Sequence, residues 1–182
     1  IQEHFLLIDC GEGAQMQMRR FGVKMLKIDH IFISHLHGDH YLGLPGYLQT
    51  LHMLGRDRDV HVYGPQGLED NLLNQFRSAE TKLRFEIHFH PTQHKEVELL
   101  YETKLFTVKS FPLKHKIPTT GFLFEEKPKK RKYLPEVGTE YNIPFYWIDR
   151  IKQGFDYEDE EGNVVKNELL TLEAEKSYSY AF

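Results

Sequence analysis

The sequence predicts an α/β fold, and three observations carry that prediction. Residues 4–9 and 28–34 contain short apolar runs of strand length, ending at Asp9 and Ser34. Residues 14–21 between them carry a helical pattern, with Met16 and Met18 near Arg19 and Arg20. The stretch Ser34-His35-Leu36-His37-Gly38-Asp39-His40 then follows directly on the apolar Ile31-Phe32-Ile33. Strand, helix and strand at this spacing make a βαβ unit. Open α/β sheets place their sites at the C-terminal ends of such strands, where this loop falls.

The remaining elements follow in order. Gly11-Glu12-Gly13 is a turn. Residues 41–54 read as a helix broken early by Pro45-Gly46, with Leu48, Leu51, Met53 and Leu54 facing a core or a partner. Residues 60–63 form a strand closed by Gly64-Pro65, and 67–79 an amphipathic helix with Leu68, Leu72, Leu73 and Phe76 on one side. Residues 83–89 alternate as a strand, and 97–100, 104–112 and 119–124 suggest three more. The composition then shifts. Residues 125–133 are a charged run around Pro128, and 143–148 an aromatic stretch leading into a short helix that ends at Gly154. Residues 156–163 are an acidic turn, and 177–182 alternate as a strand going into a core. No repeat or low-complexity segment interrupts the chain. It starts at Ile1 without Met, inside a strand-like run, and no polar tail follows Phe182. Both ends are therefore expected to be cut from a longer protein.

The bulk numbers set bounds. A chain of 182 residues suggests one domain. Hydrophobic residues at 40% and charged residues at 27% are ordinary for a soluble globular protein. The net charge of −4 leaves any polyanion binding to a local patch. The single cysteine, Cys10, excludes an intrachain disulfide and fits a reducing, cytoplasmic compartment. No apolar run spans a membrane, and no signal peptide is expected.

The chemistry concentrates in the loop after the second strand. Neutral imidazole and carboxylate suit zinc and similar divalent ions. His35 and His37, two apart, can face one metal; Asp39 and His40, adjacent on a turning loop, can face a second. Gly38 lets the backbone turn between the pairs. A third ligand for the first site must come from elsewhere, and His115, on a rim loop before Pro118, is the best candidate. His88, His90 and His94 also look like a metal tract. However, His88 and His90 share one strand face while Ile87 and Phe89 share the other, as a half-exposed strand gives without any metal. Asp9 either orients a ligand from behind or caps the turn into the next helix. The basic residues Lys127, Lys129, Lys130, Arg131 and Lys132 are a solvated face or a phosphate-backbone clamp, the latter supported by nearby Tyr133, Phe145, Tyr146 and Trp147.

Three stretches resemble the ribonuclease Z family, the transfer-RNA 3′-processing endonucleases of the metallo-β-lactamase superfamily. Residues 8–15 resemble the family's first motif, with Ala14 for a usual Thr. Residues 34–46, HxHxDH continued by Gly43-Leu44-Pro45-Gly46, resemble its metal motif. Pro112-Leu113-Lys114-His115 with Pro118 and Gly121-Phe122 resembles its third motif. The resemblance implies a metallo-β-lactamase αββα sandwich over residues 1–182, present as the N-terminal half plus a substrate-binding arm inserted at residues 125–154. It implies two Zn²⁺ per subunit, one held by His35, His37 and His115 and one by Asp39 and His40, with Asp39 also the proton acceptor. It further implies a homodimer, with residues 42–54 and 67–79 as candidate contacts, that cuts the 3′ trailer from precursor tRNA and leaves a 3′ hydroxyl. In the family a bridging Asp follows the strand that here ends at Ala181-Phe182, and two further His come later; this chain alone is then expected to bind zinc weakly, above all at the second site. Two other readings stand beside this one: a superfamily hydrolase of a small ester, sulfate or phosphodiester, and a non-catalytic fragment.

Overall fold

The computed structural model describes residues 4–182; the part of the expected opening run before His4 lies outside the described residues. The chain divides into two compact units, Ile1–Glu125 with Ser179–Phe182, and Glu126–Tyr178.

The first unit opens with the expected βαβ: β1 (Phe5–Ile8), α1 (Ala14–Arg20) and β2 (Ile28–Phe32). It continues with α2 (Gly38–Tyr41), α3 (Leu44–Met53), β3 (Val60–Gly64), α4 (Leu68–Ser78) and β4 (Ile87–Pro91). The four strands form a parallel sheet in the order β1-β2-β3-β4. Strand alternation sends Ile31, Ile33, Val60 and Val62 to one face, where Met18, Tyr47, Leu48, Leu51, Leu72 and Phe76 from the helices cover them. The other face carries Phe32 and Tyr63, packed on Phe106, Val108, Phe122 and Phe124 of a second sheet. That sheet is antiparallel, built from β5 (Glu98–Glu102), β6 (Phe106–Leu113) and β7 (Thr119–Glu126). A late strand, Ser179–Ala181, joins it beside β7. Helices on a sheet on a sheet give three layers of an αββα sandwich among the described residues.

Three expectations are corrected. Pro45 does not break a helix: it sits in the first turn of α3, where its missing N–H costs nothing. The interruption falls at Leu42–Gly43, between α2 and α3. The strand read at 83–89 starts only at Ile87, because Phe85 turns into the core beneath α4 before the chain joins β3. The strand at Ser179–Ala181 exists but is exposed along its length, not buried.

The second unit has its own small core of Ile151, Tyr157 and Leu170, with Tyr133 and Trp147 packed against it. Its elements are β8 (Lys132–Tyr133), α5 (Pro135–Glu140), α6 (Ile148–Lys152), β9 (Tyr157–Glu158), β10 (Val164–Val165), α7 (Asn167–Leu170) and β11 (Thr171–Leu172). The exposed strand Ser179–Ala181 is thus β12. The acidic turn read at 156–163 is the tip of the β9–β10 hairpin, where Asp159 accepts hydrogen bonds from Glu161 and Asn163.

Candidate metal centre

The loop after β2 is held from three sides. The Ile33 amide donates to Tyr63 O (2.7 Å), and the Thr120 amide at the start of β7 donates to Ser34 O (3.1 Å). From β1, the Cys10 amide donates to His40 O (2.7 Å), and the Gly43 amide donates to Cys10 O (2.8 Å). These contacts need bare backbone. A Cβ on Gly11 would stand 2.0 Å from Asp39 O, and one on Gly43 would stand 2.0 Å from Gly11 O.

Three imidazoles converge in this frame. His35 Nε2 lies 3.0 Å from His37 Nδ1, and His115 Nε2 lies 3.3 Å from the same nitrogen. One ligand atom from each residue lies within 4.8 Å of the others. His115 thus comes from a distant loop to the pair supplied by the motif. The rings meet edge to face, at 78°, 80° and 79°. His35 is buried, and that burial, followed by the nearness of His40, His37 and His115, holds its pKa below the ordinary histidine value. Neutral imidazole is the form that binds a metal.

Asp39 and His40 form a second pair beside the first. His40 Nε2 faces Asp39 Oδ2 at 3.4 Å, and the His40 ring centroid is 3.9 Å from that of His35. Asp9 stands behind this pair and does not cap α1, whose N-cap is Gly13. Its Oδ2 accepts from His40 Nδ1 (2.5 Å) and from Ser34 Oγ (2.8 Å), and its Oδ1 accepts from the Ser34 amide (2.7 Å). A carboxylate only accepts, so His40 donates from Nδ1 to Asp9 and Nε2 is the nitrogen left facing Asp39. Ser34 Oγ gives its proton to Asp9 and so accepts from His35 Nδ1 (2.9 Å), which frees His35 Nε2 toward His37. The donor set of imidazoles and one carboxylate fits divalent zinc-like ions.

Ser34, Gly11 and Gly43 are the residues that sequence reasoning missed. Ser34 had a signal, a hydroxyl between a buried strand and the first ligand. The two glycines lie within the first and second motifs, but their reason is tertiary, because each is required by a loop distant in sequence.

The basic residues of the second unit are largely occupied within it. Lys129 pairs with Glu126 (3.3 Å) and Glu175 (3.5 Å), Lys130 with Asp149 (2.5 Å), and Arg131 Nε donates to Thr171 Oγ1 (2.7 Å). With Lys132, Lys152 and Tyr133 they line an open groove of about 730 Å³. Phe145 and Tyr146 are 87% and 76% exposed.

Residues 1–131 match the family model described as anti-Pycsar protein Apyc1. All 182 residues align with curated proteins named ribonuclease Z, at 41% identity for the Bacteroides thetaiotaomicron protein and 39% for that of Bacteroides fragilis. The chain belongs to the family of that model and is a homologue of the proteins named ribonuclease Z. It spans 58% and 60% of the length of those two relatives. Among solved structures, the short form of human tRNase Z superposes with a TM-score of 0.61 at 37% identity, over 67% of this chain and 53% of that one. A long-form RNase Z from yeast, at 16% identity and TM-score 0.52, shares the fold over 66% of this chain and 22% of its own. This ribonuclease Z homologue therefore has the metallo-β-lactamase fold expected from its motifs.

Proposed function

We propose that this chain carries the metal-binding half of an endoribonuclease that removes the 3′ trailer from precursor tRNA. The observation that carries the reading is the convergence of His35, His37 and His115 beside Asp39 and His40, in a chain similar along its whole length to ribonucleases Z. His35, His37 and His115 would hold one Zn²⁺; Asp39 and His40 would hold the second. The ions, when bound, would supply Lewis acidity to a phosphodiester and water of lowered pKa. Asp39, 72% exposed and 3.4 Å from His40 Nε2, would take a proton from attacking water. Asp9 and Ser34 fix the ring tautomers.

The substrate arm is proposed for residues 125–154, with Lys127, Lys129, Lys130, Arg131 and Lys132 toward phosphates and exposed Phe145 and Tyr146 toward bases. Homodimer contact is proposed through residues 42–54 and 67–79, supported by Leu42, Met53 and Leu54, which are large, apolar and exposed. Among the described residues, no helix is long and apolar enough to cross a membrane. The lone thiol of Cys10 is buried and supports a cytoplasmic setting.

Two measurements test the reading. Zinc analysis should give weak binding overall, with the second ion held far more weakly than the first, since Asp39 and His40 supply only two donors; two tight ions would contradict it. Cleavage of precursor tRNA and of a small phosphodiester should be compared with and without residues 127–154. Loss of the first activity alone supports the ribonuclease; equal loss of both favours a hydrolase of small esters or phosphodiesters.

A further inference from the structure

A second set of ligand-type side chains lies at the other end of the parallel sheet. His30, His61 and His88 are register partners on β2, β3 and β4. Their rings stack in sequence, His30 on His61 at 4.9 Å and 12°, His61 on His88 at 4.9 Å and 24°. The last ring turns its Nε2 toward Asp59 Oδ2, 3.1 Å away. The other Asp59 oxygen accepts from the Glu86 amide at 3.1 Å, which draws the start of β4 to the start of β3. As a result, one ligand atom each of Asp59, Glu86 and His88 lies within 4.8 Å of the others.

This geometry suits an ion. Two donors each about 2.1 Å from one tetrahedral metal are separated by about 3.4 Å, close to the 3.1 Å between His88 Nε2 and Asp59 Oδ2. A hydrogen bond between His88 and Asp59 accounts for two of the three groups. It leaves a second carboxylate beside the first, and like charges repel unless a cation stands between them. The His88 and Asp59 side chains are 40% and 48% exposed, so an ion can enter and keep water in its open positions. Asp59 precedes β3 and Glu86 precedes β4 in a sheet of parallel strands, so the set lies opposite the loop that carries His35. His88 alone reads as a solvated strand histidine in the sequence. The two carboxylates, 29 and 2 residues away, change that reading.

We infer that Asp59, Glu86 and His88 form a second divalent-cation site, separate from the centre at His35, for a borderline ion such as Zn²⁺ or Co²⁺. His61 holds the His88 ring in plane by stacking.

The test uses Co²⁺ alone, added to the chain carrying His35→Ala and His37→Ala so that the first centre is disabled. Paramagnetic broadening of amide signals should begin at residues 58–61 and 86–89. His88→Gln and Glu86→Gln should each weaken the effect by roughly tenfold or more. Both positions are at the surface, and unchanged amide spectra elsewhere confirm folding. The unsubstituted chain gives the same local readout as a second broadened region. Broadening centred elsewhere, broadening unaltered by the two substitutions, or none at all overturns the site.

Discussion

His40 Nδ1 and Asp9 Oδ2 stand 2.5 Å apart, and that contact decides which His40 nitrogen is left for a metal. Replacing Asp9 with Asn keeps the shape but removes the charge and offers a donor where only acceptors fit. Asp9→Asn should lower zinc affinity by roughly 10–100-fold, as loss of a ligand-orienting carboxylate does. Zinc titration against a chromophoric chelator measures it; unchanged affinity would mean that Asp9 serves folding only.

His115 gives the opposite profile. It is exposed and rests on the first centre only through its imidazole. His115→Ala should leave metal-free thermal stability within about 0.5 kcal/mol of the parent, while zinc binding at the first centre is lost. Unfolding curves with and without zinc separate the two effects.

Gly11→Ala and Gly43→Ala should each destabilise the protein by about 1–3 kcal/mol or more, as forced overpacking does. The added Cβ meets backbone oxygen, which cannot rotate away. Chemical denaturation reads the loss, and zinc affinity should fall with it, because the shifted backbone carries Asp39 and His40.

The stacked histidines make stability depend on pH. Burial first, then the nearness of His61, His90 and His4 against the opposing pull of Asp29, brings the His30 pKa down to about 4. His61 and His90 are lowered as well, chiefly by burial. Between the ordinary histidine value and these lowered ones the unfolded chain binds more protons, so stability falls as the pH drops through that window. For His30 alone the loss from pH 7 to pH 4 is at most about 3 kcal/mol. Denaturation midpoints across that range should decline, and less so in His30→Phe.

Arg56 is buried, and donates to the carbonyls of Leu26, Ile28, Arg58 and Asp59 and to Asp29. Arg56→Ala leaves several of these acceptors unpaired and should cost about 3–5 kcal/mol. Recovery of that loss in the Arg56→Lys protein would contradict the need for a forked donor.

The sequence by itself determined the elements with strong local signals. Apolar runs of strand length, a helix between them and a ligand-rich loop after the second strand are short-range patterns, and the structure holds β1, α1 and β2 where those patterns lie. HxHxDH likewise marks its own chemistry, because four ligand-type side chains sit within six residues. Tertiary structure decided what depends on groups far apart in the chain. It brought His115 to His37, turned Asp9 from a possible helix cap into the partner of His40, and set Pro45 inside a helix instead of at its break. It also joined His88 to Asp59 and Glu86 through strand register, which sequence alternation cannot fix. Periodicity reports which face a residue takes; only the pairing of strands and the crossing of loops reports which residue it meets.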